Sequence, residues 1–303
     1  MPPTPVDSPF LVPFSGRFDL SDMPTHPGKK APSKSECQER LEAAVADIAR
    51  LQRVLYASNE WSVLLIFQAM DASGKDGTIR AVLSGVDPTG CQVFSFKRPS
   101  PEELDHDFLW RTNRALPERG RIGVFNRSYY EEVLVVRVHP NLLLHQRLPG
   151  LREGVSEARL ERIWRQRLSS IRTHERHLAR NGTLVLKFWL NVSPEEQRER
   201  LLERLDDPDR NWKFEADDLA ERALWGDYMH AYEAALRGTS RPHAPWYAIP
   251  ADNKAFMRMT VAEIVVDALN GLKLRYPDPT DEERARFAEL REVLMADADA
   301  SRA

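Results

Sequence analysis

The chain has 303 residues, 42% of them hydrophobic and 29% charged, which is enough to bury one large core without disulfides or structural metals. Its 43 basic and 46 acidic residues give a formal net charge of −3, which argues against a protein that binds polyanions over its whole surface. No apolar run is long enough to span a membrane, the start does not resemble a signal peptide, and two cysteines exclude a disulfide framework. We therefore expect a cytoplasmic protein that binds neither membranes nor nucleic acids.

The first 34 residues are rich in proline and polar residues and lack periodicity, which predicts an extended arm that could drape over a neighbour. From Cys37, apolar residues recur at helical spacing as far as Leu55 and predict an amphipathic helix. The continuous apolar run Ser62–Gln68 then predicts a strand buried on both faces. Residues 276–303 carry eight acids and four arginines and predict a charged, peripheral helical tail.

Short strands and helices alternate through the rest of the chain. The predicted strands are Gln92–Phe96, Ile122–Phe125, Thr183–Leu190 and Trp246–Ile249. The predicted helices are Gly77–Val86, Glu102–Leu116, Ser156–Arg180, one capped by Ser193, and Leu219–Arg237. This alternation predicts an α/β fold, a three-layer αβα sandwich with a mostly parallel sheet, formed by residues 35–275 as a single domain. The polar stretch Asp206–Asp218 lacks periodicity, and we expect a mobile lid at about 198–225.

The first predicted strand runs directly into a loop of small residues and then into a helix, which is the context of a phosphate-binding loop. In such a loop, backbone N–H groups and the helix N-terminus point at an anion, while the lysine supplies a mobile positive charge. The loop residues that we expect to bind phosphate are Ala72, Ser73, Gly74, Lys75, Asp76, Gly77 and Thr78.

This loop departs from the usual G-x-x-x-x-G-K-[ST] pattern in two places. Ala69 replaces the first glycine, and Asp76 replaces the serine or threonine that holds Mg²⁺. Two interpretations of Asp71 remain open. Asp71 either ligates Mg²⁺ or positions the attacking group in place of the missing hydroxyl, or it only ties down the loop by hydrogen bonds.

A second group of polar residues follows the predicted strand Ile122–Phe125. Because the carboxyl ends of parallel strands share one edge of the sheet, we expect these residues to face the phosphate loop. Arg127 could bind a phosphate, and Glu131 or Glu132 could supply the carboxylate that Asn126 does not. The alternative is that Asn126 is a structural cap followed by solvated charges.

Several segments, in order, resemble polyphosphate kinase family 2. They are QAMDASGKDGTIR, FNRSYYEEVLVVRVHP, RLDDPDRNWKF and APWYAIPADNK, and the resemblance extends from about Cys37 to Leu274. It implies a P-loop kinase-like core with a helical lid, assembled as a homo-oligomer (dimer or tetramer). It also implies reversible, Mg²⁺-dependent phosphoryl transfer between inorganic polyphosphate and nucleotides.

The resemblance also implies roles for individual residues. Asp71 and Lys75 match the Walker A catalytic pair, and Arg127 matches the phosphate-binding arginine after Walker B. Asn126 and Glu131 match the family's third class, which accepts AMP and ADP and ultimately gives ATP. The lid residues that would close over the phosphates are Arg204 and Lys213.

Polyphosphate also requires a cationic track. Segment 111–180 carries 15 arginines, no lysine and seven acids, an excess of eight positive charges. A single guanidinium group can bind two phosphate oxygens at once. The candidates for the track are Arg80, Lys97, Arg98, Arg111, Arg114 and Arg137.

The rival functions are an ATP-dependent kinase of the same fold, a non-catalytic nucleotide-binding module and a nucleic-acid-binding protein. Phosphoryl transfer from ATP but not from polyphosphate would favour the ATP-dependent kinase. ADP binding without turnover would favour the binding module, and DNA binding without phosphotransfer would favour the nucleic-acid-binding protein.

Overall fold

The computed structural model describes residues 3–209, 211–214 and 217–300. Its strands are β1 (Ser62–Gln68), β2 (Cys91–Ser95), β3 (Ile122–Asn126), β4 (Thr183–Asn191) and β5 (Trp246–Pro250). Its helices are α1 (Lys34–Ser58), α2 (Lys75–Val82), α3 (Pro101–Leu104), α4 (Trp110–Asn113), α5 (Val135–Val138), α6 (Leu142–His145), α7 (Glu157–Arg180), α8 (Pro194–Asp206), α9 (Asp217–Ala223), α10 (Trp225–Thr239), α11 (Lys254–Gly271) and α12 (Asp281–Ala300). Short 3-10 turns lie at Leu20–Asp22, Pro88–Gly90, Tyr129–Val133 and Asn211–Lys213.

The five strands of the described residues form one parallel sheet in the order β2-β3-β1-β4-β5. In this register Leu65 of β1 lies between Val124 of β3 and Leu186 of β4. Every residue of β1 and β4 is buried, as expected for strands covered on both faces. Helices α1, α2 and α11 pack together on one face, while α7 and α10 pack together on the other. The predicted αβα sandwich is confirmed, and its sheet is entirely parallel within these ranges.

The structure corrects three details of the predicted elements. Segment Glu102–Leu116 is not one helix, because Ser100 and Glu103 cap α3 and the Asp107 carboxylate accepts from the Leu109 N–H before α4 begins. Segment Leu219–Arg237 is also divided, since the Leu224 N–H donates to the carbonyl three residues back and α10 starts anew. Helix α11 escaped prediction because buried residues occupy all its sides, which leaves no amphipathic pattern to detect.

The N-terminal arm packs against its own chain. Leu11 forms an antiparallel bridge with Tyr247 of β5, the Val12 N–H donates to the Trp246 carbonyl at 2.9 Å, and the Ala248 N–H donates to the Phe10 carbonyl at 2.8 Å. These bonds satisfy backbone groups on the outer edge of β5, which would otherwise be an open sheet edge.

At the other end of the chain, α12 is exposed along its described length, including Phe287, Leu290 and Leu294. None of the helices within the described ranges is both long enough and apolar enough to cross a bilayer.

Candidate active site

The loop between β1 and α2 forms the floor of the candidate site. Gly74 has a φ of +98°, a left-handed conformation that glycine adopts without strain, and it turns the chain into α2. Within the loop, the Lys75 Nζ donates to the Ala69 carbonyl at 2.9 Å, and the Ser73 hydroxyl donates to the Met70 carbonyl at 2.6 Å. The loop is therefore a folded cradle at the N-terminus of a helix, where an anion is favoured.

The residues that follow β3 meet this loop at the carboxyl edge of the sheet. The Arg127 guanidinium donates to Asp71 Oδ1 at 2.9 Å and lies 3.9 Å from Glu131 Oε2. Arg127 has a φ of +65°, and its N–H donates to the Phe67 carbonyl at the end of β1. The topology thus brings together the Asp71, Arg127 and Glu131 that the sequence predicted.

Burial perturbs the ionisation of this cluster. It lowers the pKa of Lys75, with a further lowering from Arg127 that the neighbouring carboxylates partly oppose. It raises the pKa of Glu131 although Arg127 and Lys75 act in the opposite direction. The carboxylates, Glu131 above all, raise the pKa of Arg127. Arg127 therefore stays charged, and the cluster offers cationic groups to a polyanion in a partly buried setting.

Two residues that depart from the common motif contact each other. The Asn126 amide donates to Asp76 Oδ1 at 2.7 Å, joining the end of β3 to the first turn of α2. The Asn126 amide therefore hydrogen-bonds an oxygen of the Asp76 carboxylate, whose negative charge would otherwise repel a bound phosphate.

Side chains of helix α8 hydrogen-bond the backbone of the phosphate loop, and the sequence did not suggest these residues. The Gln197 amide donates to the Asp71 carbonyl at 3.0 Å, and the buried Arg200 guanidinium donates to the Ser73 carbonyl at 2.7 Å and the Ala251 carbonyl at 2.6 Å. Arg222 of α9 donates to Gln197 Oε1 at 2.6 Å. The carbonyls of Asp71 and Ser73 thus bond to α8, which fixes this part of the loop.

Gln68, at the end of β1, was also missed. In the amide orientation that satisfies both of its ends, Gln68 donates to Glu131 Oε1 at 2.8 Å and accepts from the Ser128 hydroxyl and N–H at 3.1 Å each. Its position as the last residue of the strand was the signal that could have identified it, because ligand-facing residues cluster at that edge.

The other residues of the turn after β3 are fixed by buried partners. Tyr129 and Tyr130 are fully buried and donate to Glu175 of α7, so they pack instead of facing a ligand. Glu132 forms a buried ion pair with Arg167 at 2.9 Å. Of the two glutamates considered, only Glu131 lies beside Arg127.

The remaining predicted cations fall into two groups. Arg80, Lys97, Arg98 and Arg114 are exposed, as a surface track requires. Arg111 is buried and donates to the Lys97 carbonyl at 2.8 Å, while the half-buried Arg137 pairs with Glu161 at 3.0 Å and the half-buried Arg204 pairs with Asp218 at 3.1 Å. The side chain of Lys213 lies outside the described part of the structure.

The conformation suits phosphoryl transfer, a reaction that depends on in-line positioning and neutralised charge. The N-terminus of α2, two buried or partly buried cations and two nearby carboxylates lie at one edge of the sheet.

Comparison with known proteins supports this interpretation. A family model described as Polyphosphate kinase 2 matches residues 31–277. The ADP-polyphosphate phosphotransferase of Rhodopseudomonas palustris is 52% identical over 287 residues, 94% of this chain and 97% of that protein. The AMP/ADP-polyphosphate phosphotransferase of Meiothermus ruber is 44% identical over 263 residues, 87% and 91% of the two chains. The crystal structure of Polyphosphate Kinase 2 from Arthrobacter aurescens TC1 is similar with a TM-score of 0.80 and 38% identity, covering 92% of this chain and 95% of that one.

Proposed function

Because the chain belongs to the polyphosphate kinase 2 family, we propose that it transfers phosphoryl groups between inorganic polyphosphate and nucleoside mono- and diphosphates. The observation that carries this proposal is the 2.9 Å contact between Arg127 and Asp71, which joins the residue after β3 to a loop that also holds Lys75. This contact concentrates cations and carboxylates where a helix N-terminus already favours phosphate.

The roles of the site residues follow from their positions. Lys75 and the loop N–H groups hold the phosphates, and Arg127 turns from Asp71 to a phosphate oxygen when substrate enters. Closure of the lid brings Arg204 and Lys213 over the phosphates and excludes water, which limits wasteful hydrolysis.

The donor set fits Mg²⁺ as the cofactor. Asp71 offers a carboxylate whose side chain is 33% exposed at the loop, and no group of three or more metal-ligating side chains occurs among the described residues. Mg²⁺ in kinases is commonly bound by one or two carboxylates together with substrate phosphates, so Asp71 would hold it with the substrate completing the coordination. When bound, Mg²⁺ neutralises charge on the transferring phosphates.

We propose AMP and ADP as the acceptors, converted to ADP and ATP in reversible reactions. Asn126 and Glu131 support this choice, since both match the branch of the family that uses both nucleotides. The names of the two relatives agree with it, one being an ADP- and the other an AMP/ADP-polyphosphate phosphotransferase.

The test is to incubate the protein with Mg²⁺ and long-chain polyphosphate, separately with AMP and with ADP, and to separate the nucleotides by ion-exchange chromatography. We expect ADP from AMP and ATP from ADP, and Asp71→Asn should lower kcat by about 100-fold or more. Asp47→Asn on α1, whose half-exposed carboxylate pairs only with Arg50 of the same helix among the described residues, is the matched control and should leave kcat unchanged.

Two results would contradict the proposal. Phosphorylation of AMP by ATP but not by polyphosphate would identify an ATP-dependent kinase. ADP binding without turnover in the folded protein would identify a non-catalytic binding module.

We also propose that the enzyme forms a homo-oligomer in a reducing compartment such as the cytoplasm. The exposed apolar side chains of Phe287, Leu290 and Leu294 on α12 support assembly with another copy. Cys37 and Cys91 are free thiols, as expected where disulfides do not persist.

A further inference from the structure

Eight of the fifteen arginines of segment 111–180 are held by structural partners within the described residues. Six of these arginines pair with carboxylates, and two others donate only to backbone carbonyls. The pairs with carboxylates involve Arg111, Arg121, Arg127, Arg137, Arg147 and Arg167, and the arginines bonded only to carbonyls are Arg119 and Arg172. The excess therefore does not form one continuous track at the active site.

The arginines without such partners are concentrated on one face of α7. Arg162, Arg165, Arg176 and Arg180 are exposed, and none pairs with a carboxylate within residues 3–209, 211–214 and 217–300. Their spacing places them on the side of the helix opposite its buried residues. The only acid between Arg162 and Arg180 is Glu175, which is fully buried. We call these four arginines, with the exposed polar residues between them, the outer face of α7.

The outer face also has the shape and chemistry of a binding groove. An open groove of about 790 Å³ lies beside these arginines and is lined by Leu109 and by six residues of α7: Gln166, Ser169, Ser170, Thr173, His174 and His177. The Nε2 of His174 is buried without a hydrogen-bond partner in the described structure. Hydroxyl and amide groups beside guanidinium groups suit an anion with many oxygens. Arg162 and Arg180 are separated by about 27 Å along the helix, so the ligand is elongated.

The position of α7 connects this face with the candidate active site. Arg167, in the middle of α7, pairs with Glu132 in the turn that also carries Glu131. The C-terminus of α7 leads directly into the start of β4. The helix therefore runs antiparallel to the strands, from their carboxyl ends toward their amino ends. The N-terminal half of α7, which carries Arg162 and Arg165, therefore lies toward the end of the sheet at which the candidate active site is found.

We propose that the outer face of α7 is a docking site for the distal part of a long polyphosphate chain, separate from the site of transfer. A single-stranded nucleic acid is the less suitable ligand, because such sites add aromatic side chains for base stacking and the exposed residues between these arginines are polar. This inference rests on the proposed function, since it specifies the class of donor that the enzyme prefers.

The test compares a long with a short polyphosphate as donor. The variant R162Q/R165Q/R176Q/R180Q should raise the KM for long-chain polyphosphate about ten-fold relative to the KM for tetraphosphate, and should flatten the salt dependence of long-chain binding. The matching R162K/R165K/R176K/R180K variant keeps the charge and should retain most of the affinity. K29Q/K30Q/K34Q/R53Q, at exposed positions near the start of the chain and on α1, removes four charges elsewhere and should leave both KM values unchanged.

Three outcomes would overturn the proposal while leaving the proposed function intact. The first is an unchanged ratio of the two KM values in an active glutamine variant. The second is a change of oligomeric state in that variant, which would make the outer face an interface between copies. The third is a single-stranded RNA that binds as tightly as polyphosphate and is lost in the same variant. Absence of turnover with any polyphosphate would instead overturn the proposed function.

Discussion

One fully buried ion pair lies behind the turn that carries Glu131. The Lys187 Nζ donates to Glu175 Oε2 at 2.7 Å, to the Tyr130 hydroxyl at 2.9 Å and to the Thr239 carbonyl at 2.9 Å, so all three of its protons are used. Burial lowers the pKa of Lys187 to about 8 and raises the pKa of Glu175. Each charge is therefore tolerated in the core only because the other is present.

We expect Lys187→Met to lower the free energy of unfolding by about 3 to 5 kcal/mol, because it leaves the Glu175 carboxylate buried without its partner. The double variant K187M/E175L should recover much of this loss by making the region apolar. Urea denaturation at neutral pH measures both effects, with the exposed Lys30→Met as control. Equal stability of wild type and K187M would show that the pair contributes nothing.

Sequence reasoning predicted which residues meet at this edge of the sheet better than it predicted the groups that hold them in place. Asp71, Lys75 and Arg127 follow strands whose apolar runs are easily recognised, so their meeting at one edge was predictable. The role of Arg200 was not predictable, since apart from Glu196 its partners are backbone carbonyls, one of them 127 residues away. Carbonyls are present at every residue and leave no trace in the sequence.

At the scale of elements, α8 is a support for the phosphate loop. Arg200 joins the Ser73 carbonyl in the loop to the Ala251 carbonyl after β5, and its Nε donates to Glu196 at 2.6 Å. A planar guanidinium reaches these three acceptors at once, whereas an ammonium group cannot keep the same geometry. Arg200 is thus a positioning residue that acts through the loop.

We expect Arg200→Lys to lower kcat/KM by about 10- to 100-fold, because a displacement of the loop by about 1 Å misaligns the phosphates. The free energy of unfolding should fall by only about 1 to 3 kcal/mol. Steady-state kinetics with ADP, combined with urea denaturation, separates the two effects. Arg198→Lys, on the exposed side of the same helix, is the control and should match wild type in both measurements. A variant that loses stability but keeps its kcat/KM would show that Arg200 has no role in positioning.

Element prediction succeeded where burial produces a regular pattern. β1 is a continuous apolar run, β4 is an apolar run interrupted by Lys187, and α7 has one apolar stripe, so the positions of all three were predicted closely. The order of the strands was not predicted. In the structure β1 pairs with β3 and β4 and not with β2, which follows it in the chain. That order depends on how the helices cover the two faces, which a local pattern does not encode.

For the whole molecule, the N-terminal arm closes one edge of the sheet. Besides its backbone bonds to β5, the arm accepts two hydrogen bonds from side chains. The Ser240 hydroxyl donates to the Val12 carbonyl at 2.8 Å, and the Asn191 amide donates to the Met23 carbonyl at 3.0 Å. The arm therefore spans from the strand edge to the end of β4.

Deletion of residues 1–14 should lower the melting temperature and cause concentration-dependent aggregation, because it exposes the backbone of β5 at a sheet edge. Differential scanning calorimetry and light scattering measure the two effects. Deletion of residues 1–5 leaves the pairing with β5 in place and serves as the control. A protein without residues 1–14 that stays monodisperse and melts like the full chain would contradict this prediction.

The pairing of the arm with β5 also sets the order of events during synthesis on the ribosome. Val12 and Trp246 are separated by roughly 230 residues, so the arm emerges long before its partner strand exists. At typical translation rates this interval is on the order of 10 to 50 s. The arm is therefore made early and docks late, and until then its apolar residues, Phe10 and Leu11 among them, are available to chaperones that hold the nascent chain.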